Sequence, residues 1–247
     1  MSLKNTSPNP APPACSATVS PGGDSVPLLA ANKIRCERDD RLLFENLSFQ
    51  LNAGEIMQIE GPNGSGKTTL IRILCGLSTD YEGQFNWRGK KLRPSDPLFC
   101  RQHLYFGHAT GVKTALTPEE NLRWMAQAQG LREHQQVKGQ ESLTQIIQHA
   151  LHKVGLRGYE DVPVHSLSAG QKRRVALARL FIEWIPLWVL DEPFTAIDRN
   201  GVNELEALLV EHASSGGAVI LTTHHELAIA PERLRKLTLG SKSGVTA

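Results

Sequence analysis

The nine residues Gly61-Pro62-Asn63-Gly64-Ser65-Gly66-Lys67-Thr68-Thr69 constrain the fold of this chain more than any other feature. They follow an apolar, strand-like run, Ile56–Glu60, and open a helix-like run, Thr68–Cys75, that Gly76 stops. The spacing G-x-x-x-x-G-K-[ST] between a strand and a helix is that of a phosphate-binding loop. Glycine allows the tightly turned backbone that aims successive N–H groups inward around phosphate oxygens. The helix N-terminus adds about half a positive charge at the same place. Lys67 is placed to reach the β and γ phosphates, and the Thr68 hydroxyl to ligate Mg²⁺. The expectation is a nucleoside triphosphate site cradled by Gly61 through Thr69.

A second element fits the first. Leu187-Trp188-Val189-Leu190 is an apolar strand that ends in Asp191-Glu192. In open α/β sheets ligands sit at the carboxyl ends of the strands, so a buried strand delivers both acids to the right edge. Asp191 is expected to hold Mg²⁺, directly or through water, and Glu192 to polarise an attacking water. Ala218–Thr222 is another strand that is apolar nearly throughout, and helical patterns at Ala169–Trp184 and Gly201–His212 alternate with these runs. Such strands indicate a parallel sheet covered on both faces. Leu28–Cys36 and Leu42–Leu51 also read as strands, joined by an Arg-Asp-Asp turn. The stretch from Pro118 to about Leu156 reads as mostly helical, with a break near Lys138-Gly139.

Composition excludes several classes. Lys and Arg number 27 against 25 Asp and Glu, a net charge of +2, so nothing resembles a nucleic-acid coat and no nucleic-acid partner is expected. No apolar run approaches the roughly 18–20 residues of a membrane span. Cys15, Cys36, Cys75 and Cys100 lie far apart without metal-binding spacing, so free thiols are expected. Residues 1–27 hold six of the 14 prolines and only two charged side chains, Lys4 and Asp24, and read as a disordered tail. His149 and His152, three apart on a polar helix, read as a solvated face; Trp124, Met125 and Leu131 read as helix core.

Leu167-Ser168-Ala169-Gly170-Gln171 resembles the LSGGQ signature of ATP-binding cassette ATPases, with Ala169 where the common form has glycine. The offset of 23 positions from Ser168 to Asp191 matches the family's spacing. Thr195-Ala196-Ile197-Asp198 matches its D-loop, and His224, after Ile220-Leu221-Thr222-Thr223, its switch histidine. The resemblance runs from about Leu28 to Leu239 and implies an α/β fold. That fold has a RecA-like P-loop core, an antiparallel β subdomain and a helical subdomain at roughly 108–184, within a cassette spanning 28–247. It implies an ATPase in which Glu192, His224 and Lys67 are catalytic. Ser168, Gly170 and Gln171 would then meet the γ-phosphate held by a second copy in a head-to-tail homodimer.

Two positions depart from the family pattern. Arg38, in Cys36-Glu37-Arg38-Asp39-Asp40, stands where an adenine-stacking aromatic is usual. A guanidinium plane can stack on a base, though less well than tyrosine. His108 stands where the family's Q-loop glutamine senses Mg²⁺ and touches a membrane partner.

Gly107-His108-x-x-Gly111-Val112-Lys113-Thr114-x-Leu116-Thr117, Glu120-Asn121-Leu122 and Asp191-Glu192-Pro193-Phe194-Thr195 resemble the ATPases of cytochrome c maturation. That resemblance implies work at the cytoplasmic face of a bacterial inner membrane with integral subunits of the CcmB and CcmC type. ATP would drive haem export or release of the haem-loaded chaperone CcmE. An ATPase subunit for another transported species and a soluble single-cassette ATPase stay open at this point.

Overall fold

The structure is a computed structural model describing residues 26–130 and 142–240. The tail expected over 1–27 falls, up to residue 25, outside the described residues; so do Leu131 and the break near Lys138-Gly139.

The chain begins as a hairpin of β1 (Leu29–Arg38) and β2 (Arg41–Leu51). The hairpin turns at Asp39 and Asp40, both left-handed (φ 51° and 58°), the conformation a tight two-residue hairpin turn requires. Next come β3 (Ile56–Glu60), α1 (Lys67–Leu74), β4 (Glu82–Trp87), β5 (Lys90–Leu92), α2 (Pro97–Cys100) and β6 (His103–Phe106). α3 (Pro118–Ala128), α4 (Leu143–Lys153), α5 (Ala169–Leu177), β7 (Leu187–Asp191), α6 (Arg199–Ser214), β8 (Ala218–Thr222) and β9 (Leu234–Thr238) complete the order. One sheet is antiparallel, β2-β1-β4-β5; the other runs β6-β7-β8-β3-β9 with every pair parallel.

The central strands β7 and β8 are apolar nearly throughout because both their faces are covered. Met57, Ile59, Leu187, Val189, Ala218 and Ile220 pack with α1 against the antiparallel sheet. The alternate residues Ile56, Trp188, Leu190, Val219 and Leu221 pack against α5 and α6. A third core joins α3, α4 and α5 through Leu122, Ile147, Leu151 and Val175. On the α6 side His212 is 4% exposed and stacks on Trp188, with ring centroids 3.7 Å apart and planes 6° from parallel. Burial pulls its pKa down to about 4.

Three details differ from the sequence expectation. The helix from Ala169 stops being α at Leu177 and tightens into a 3₁₀ turn over Ala178–Phe181. That turn sends Ala178 into the helical core and Leu180 into the core beneath the parallel sheet. A further strand, β9, lies beyond β8 in sequence; at the sheet edge it tolerates Arg235 and Lys236 and shows no apolar run. Trp124 is not core: it is 46% exposed on α3 under the Lys113 ammonium, 3.9 Å from the ring centroid, while Leu122, Met125 and Ala126 face inward. Asn121, fully buried, bonds the Lys113 N–H and carbonyl and the Thr117 carbonyl, and so fixes the loop ahead of α3.

Candidate nucleotide site

The phosphate-binding loop joins β3 to α1 at the carboxyl edge of the parallel sheet. Gly61, Gly64 and Gly66 all have positive φ (144°, 78° and 95°). A side chain at Gly61 would put Cβ 2.5 Å from the Leu239 carbonyl oxygen and 2.7 Å from Ser65 Oγ, so the loop closes only with glycine there. Gly66 is the N-cap of α1 and brings no capping side chain, which leaves the first N–H groups of the helix for a ligand. Lys67 Nζ donates to the carbonyls of Gly61 (2.7 Å) and Pro62 (3.2 Å), so the ammonium arches back over the loop.

The acids arrive on β7, the next strand but one. Asp191 is 3% exposed, and its Oδ1 accepts a hydrogen bond from Thr222 Oγ1 at 2.6 Å across the β7–β8 pair. Glu192 is left-handed, φ 52°, a conformation that is costly for a residue with a side chain. Its N–H donates to the carbonyl (3.1 Å) and the hydroxyl (3.0 Å) of Thr222, and its own carbonyl accepts from Arg173. His224, which follows β8 and has a largely exposed ring, brings Nε2 to 3.5 Å from Glu192 Oε1.

A cleft of about 530 Å³ gathers Arg38, Asn63, Gly64, Gly66, Lys67, Thr68, Thr69, Asp191, Glu192 and His224. Arg41 and Thr222, which the sequence did not single out, line it too. Thr222 could have been suspected as a hydroxyl closing an otherwise apolar strand. Arg41 carries no such signal. Pro62 and Ser65 belong to the same loop but not to the lining, and Ser65 Oγ is buried without a partner among the described residues.

Four expected residues lie elsewhere. Ser168, Gly170 and Gln171 form the N-terminus of α5, outside the cleft. Ser168 Oγ accepts from the Gln171 N–H (3.2 Å), and Gln171 Oε1 accepts from the Ser168 N–H (2.9 Å), a reciprocal cap on an exposed turn. A Cβ on Gly170 would stand 3.3 Å from the Ala196 carbonyl oxygen, so the signature and D-loop segments touch within one chain. Asp198 caps α6 through the Gly201 N–H (2.8 Å) and pairs with Arg174. His108 is also absent from the lining; its side chain is exposed and its carbonyl accepts from Arg173 at 3.1 Å.

A phosphate-binding loop facing two acids at the end of a parallel strand two places away in the sheet defines a P-loop ATPase. The family model described as ABC transporter matches residues 44–195, and the chain belongs to that family of ATP-binding, ATP-hydrolysing cassettes. It is 54% identical over 219 residues to the cytochrome c biogenesis ATP-binding export protein CcmA of Hahella chejuensis, covering 88% of this chain and 98% of that one. A solved ATP-binding subunit of an ABC transporter superposes with a TM-score of 0.73 at 26% identity, covering 86% of this chain and 85% of the other. A dimeric post-hydrolysis cassette bound to ADP and Pi gives 0.71 at 22% identity over 85% and 94% of the two chains, a likeness of fold. Among the described residues no helix is long and apolar enough to cross a membrane.

Proposed function

We propose that this chain is the ATP-hydrolysing subunit of a membrane complex for cytochrome c maturation. It would work beside integral subunits of the CcmB and CcmC type at the cytoplasmic face of the inner membrane. The hydrolysis would power haem export or release of the haem-loaded chaperone CcmE. The observation that carries this reading is the 54% identity along 98% of a relative bearing that name.

The residues of the cleft divide the chemistry among them. Lys67 exchanges its two loop carbonyls for β- and γ-phosphate oxygens, and the N–H groups from Gly64 to Thr69 close around the same charge. Arg38 lies at the rim, where its guanidinium plane can meet the base. Thr68 and Asp191 line one cleft with hard oxygen donors and, with no group of three or more His, Cys, Asp or Glu placed to hold a metal among the described residues, fit Mg²⁺ better than a soft metal. Mg²⁺ bound there would neutralise charge on the phosphate oxygens. Glu192 takes the proton of the attacking water as its oxygen bonds to the γ-phosphorus. The bond to the β–γ bridging oxygen breaks, leaving ADP and phosphate. His224, in contact with the Glu192 carboxylate, orients that water and the γ-phosphate. Ser168 and its neighbours on α5 do not line their own cleft, and they would serve the cleft of a second copy in a homodimer.

The test is a haem stain of c-type cytochromes in cells whose only copy carries Glu192→Gln. Loss of stain with normal total haem is expected. In the purified variant, turnover should fall on the order of 10²–10⁴-fold while nucleotide binding is retained. Full staining would overturn the cytochrome c assignment, and normal turnover would mean that another group is the base.

A further inference from the structure

Arg173 is a buried cation that phosphate chemistry does not explain. It lies in α5 just past Gln171 and is 5% exposed. Its guanidinium fork spans two loops: one nitrogen donates to the His108 carbonyl at 3.1 Å and the other to the Glu192 carbonyl. The group lies over the Phe106 ring, 4.5 Å from its centroid, and Nε has no partner among the described residues. Burial pulls the guanidinium below its ordinary value, while Asp191 and Glu192 raise it. Taking a guanidinium out of water with one donor unmatched is costly, so the two bonds it makes need a function that repays the cost.

The backbone of Glu192 supplies one. It is held left-handed, with its N–H fixed by Thr222 on β8 and its carbonyl bonded by the Thr195 N–H at 3.3 Å and, from α5, by Arg173. We infer that Arg173 is a positioning residue that clamps the Glu192 and His108 backbones together, so that the carboxylate of Glu192 follows the placement of α5 and of the His108 segment. The planar fork suits this task, since its two ends reach separate carbonyls in fixed geometry and an ammonium does not. A shift of α5 or of the His108 segment then reaches Glu192 through a single side chain, without moving β7. This inference rests on reading Glu192 as the general base.

The experiment uses the full chain with Arg173→Met and Arg173→Lys, each alone and combined with Glu192→Gln. Arg173→Met should lower kcat by tenfold or more while KM for ATP stays within about twofold, and add less than about twofold to the loss already caused by Glu192→Gln. Without nucleotide, amide hydrogen exchange should rise together at Glu192 and across residues 107–111. Arg173→Lys keeps the charge and loses the bridge; it should show the same split, and it carries the test if Arg173→Met does not fold. A kcat loss below tenfold, an equal loss in the Glu192→Gln background, or unchanged exchange at both segments overturns the clamp. Raised exchange together with normal turnover of Glu192→Gln would uphold the clamp and overturn the base assignment instead.

Discussion

The N-termini of α1 and α5 present the same physical device, a row of helix N–H groups, in opposite states. At α1 the cap is Gly66, which offers no oxygen, and the donors open into a cleft lined by Lys67, Asp191 and Glu192. At α5, Ser168 and Gln171 satisfy each other's backbone and the turn faces solvent. One terminus is organised to receive an anion by itself. The other is complete as a helix end, and must exchange its own cap, worth about 1 kcal/mol, to take part in a site. The contrast teaches that the same device stands open at one helix end and closed at another, and that only the open one lines the cleft.

Mutation at the two termini gives the largest test. Lys67→Ala should weaken binding of a fluorescent ATP analogue to the single chain on the order of 10²-fold, about 2.7 kcal/mol. Ser168→Ala should leave that affinity within about threefold. Equal losses in the two titrations would mean that both termini serve the same cleft.

A pH control separates effects at the termini from loss of the fold. His212 has a folded pKa of about 4 against 6.5 for the free side chain. Between those values the unfolded chain binds a proton that the folded core refuses. Its contribution is therefore whole above pH 6.5 and declines as pH falls toward 4, by on the order of 2 kcal/mol at pH 5. Urea unfolding of His212→Phe should show a shallower drop from pH 7 to 5 than the parent chain, and parallel drops would rule His212 out. Comparisons of the termini accordingly belong above pH 6.5.

The smallest effect is the most specific. Chains carrying Lys67→Ala and chains carrying Ser168→Arg should each be inactive, yet mixing them should restore about a quarter of normal ATP turnover. Half of randomly formed dimers are mixed, and each mixed dimer has one site with both halves intact. No recovery would leave the two halves without evidence of meeting across a dimer.

What the sequence made legible was whatever repeats a backbone requirement. The glycines of the loop, the apolar strands β7 and β8, the acids at the end of β7 and the start of α3 at Pro118 each answer a local demand, and each stands where expected. Features settled between distant segments were not readable. The α-helix from Ala169 ends early because consecutive residues serve two different cores. β9 is recognisable as a strand only beside β3. Arg173 looked like any charge on a helix, since its partners lie 65 and 19 residues away. His108 matches a motif by position, but its carbonyl is what the fold engages.

The left-handed backbone at Glu192 has a consequence for how this surface can change over time. At φ 52° glycine, or asparagine, is the residue that folding by itself would favour. The carboxylate therefore stands against the preference of its own peptide unit, a local cost of about 1 kcal/mol or more that its proposed role as the base would offset. On that proposed role, a substitution such as Glu192→Gly would relieve the backbone and leave an inert cassette, so gains in stability here would come at the expense of turnover.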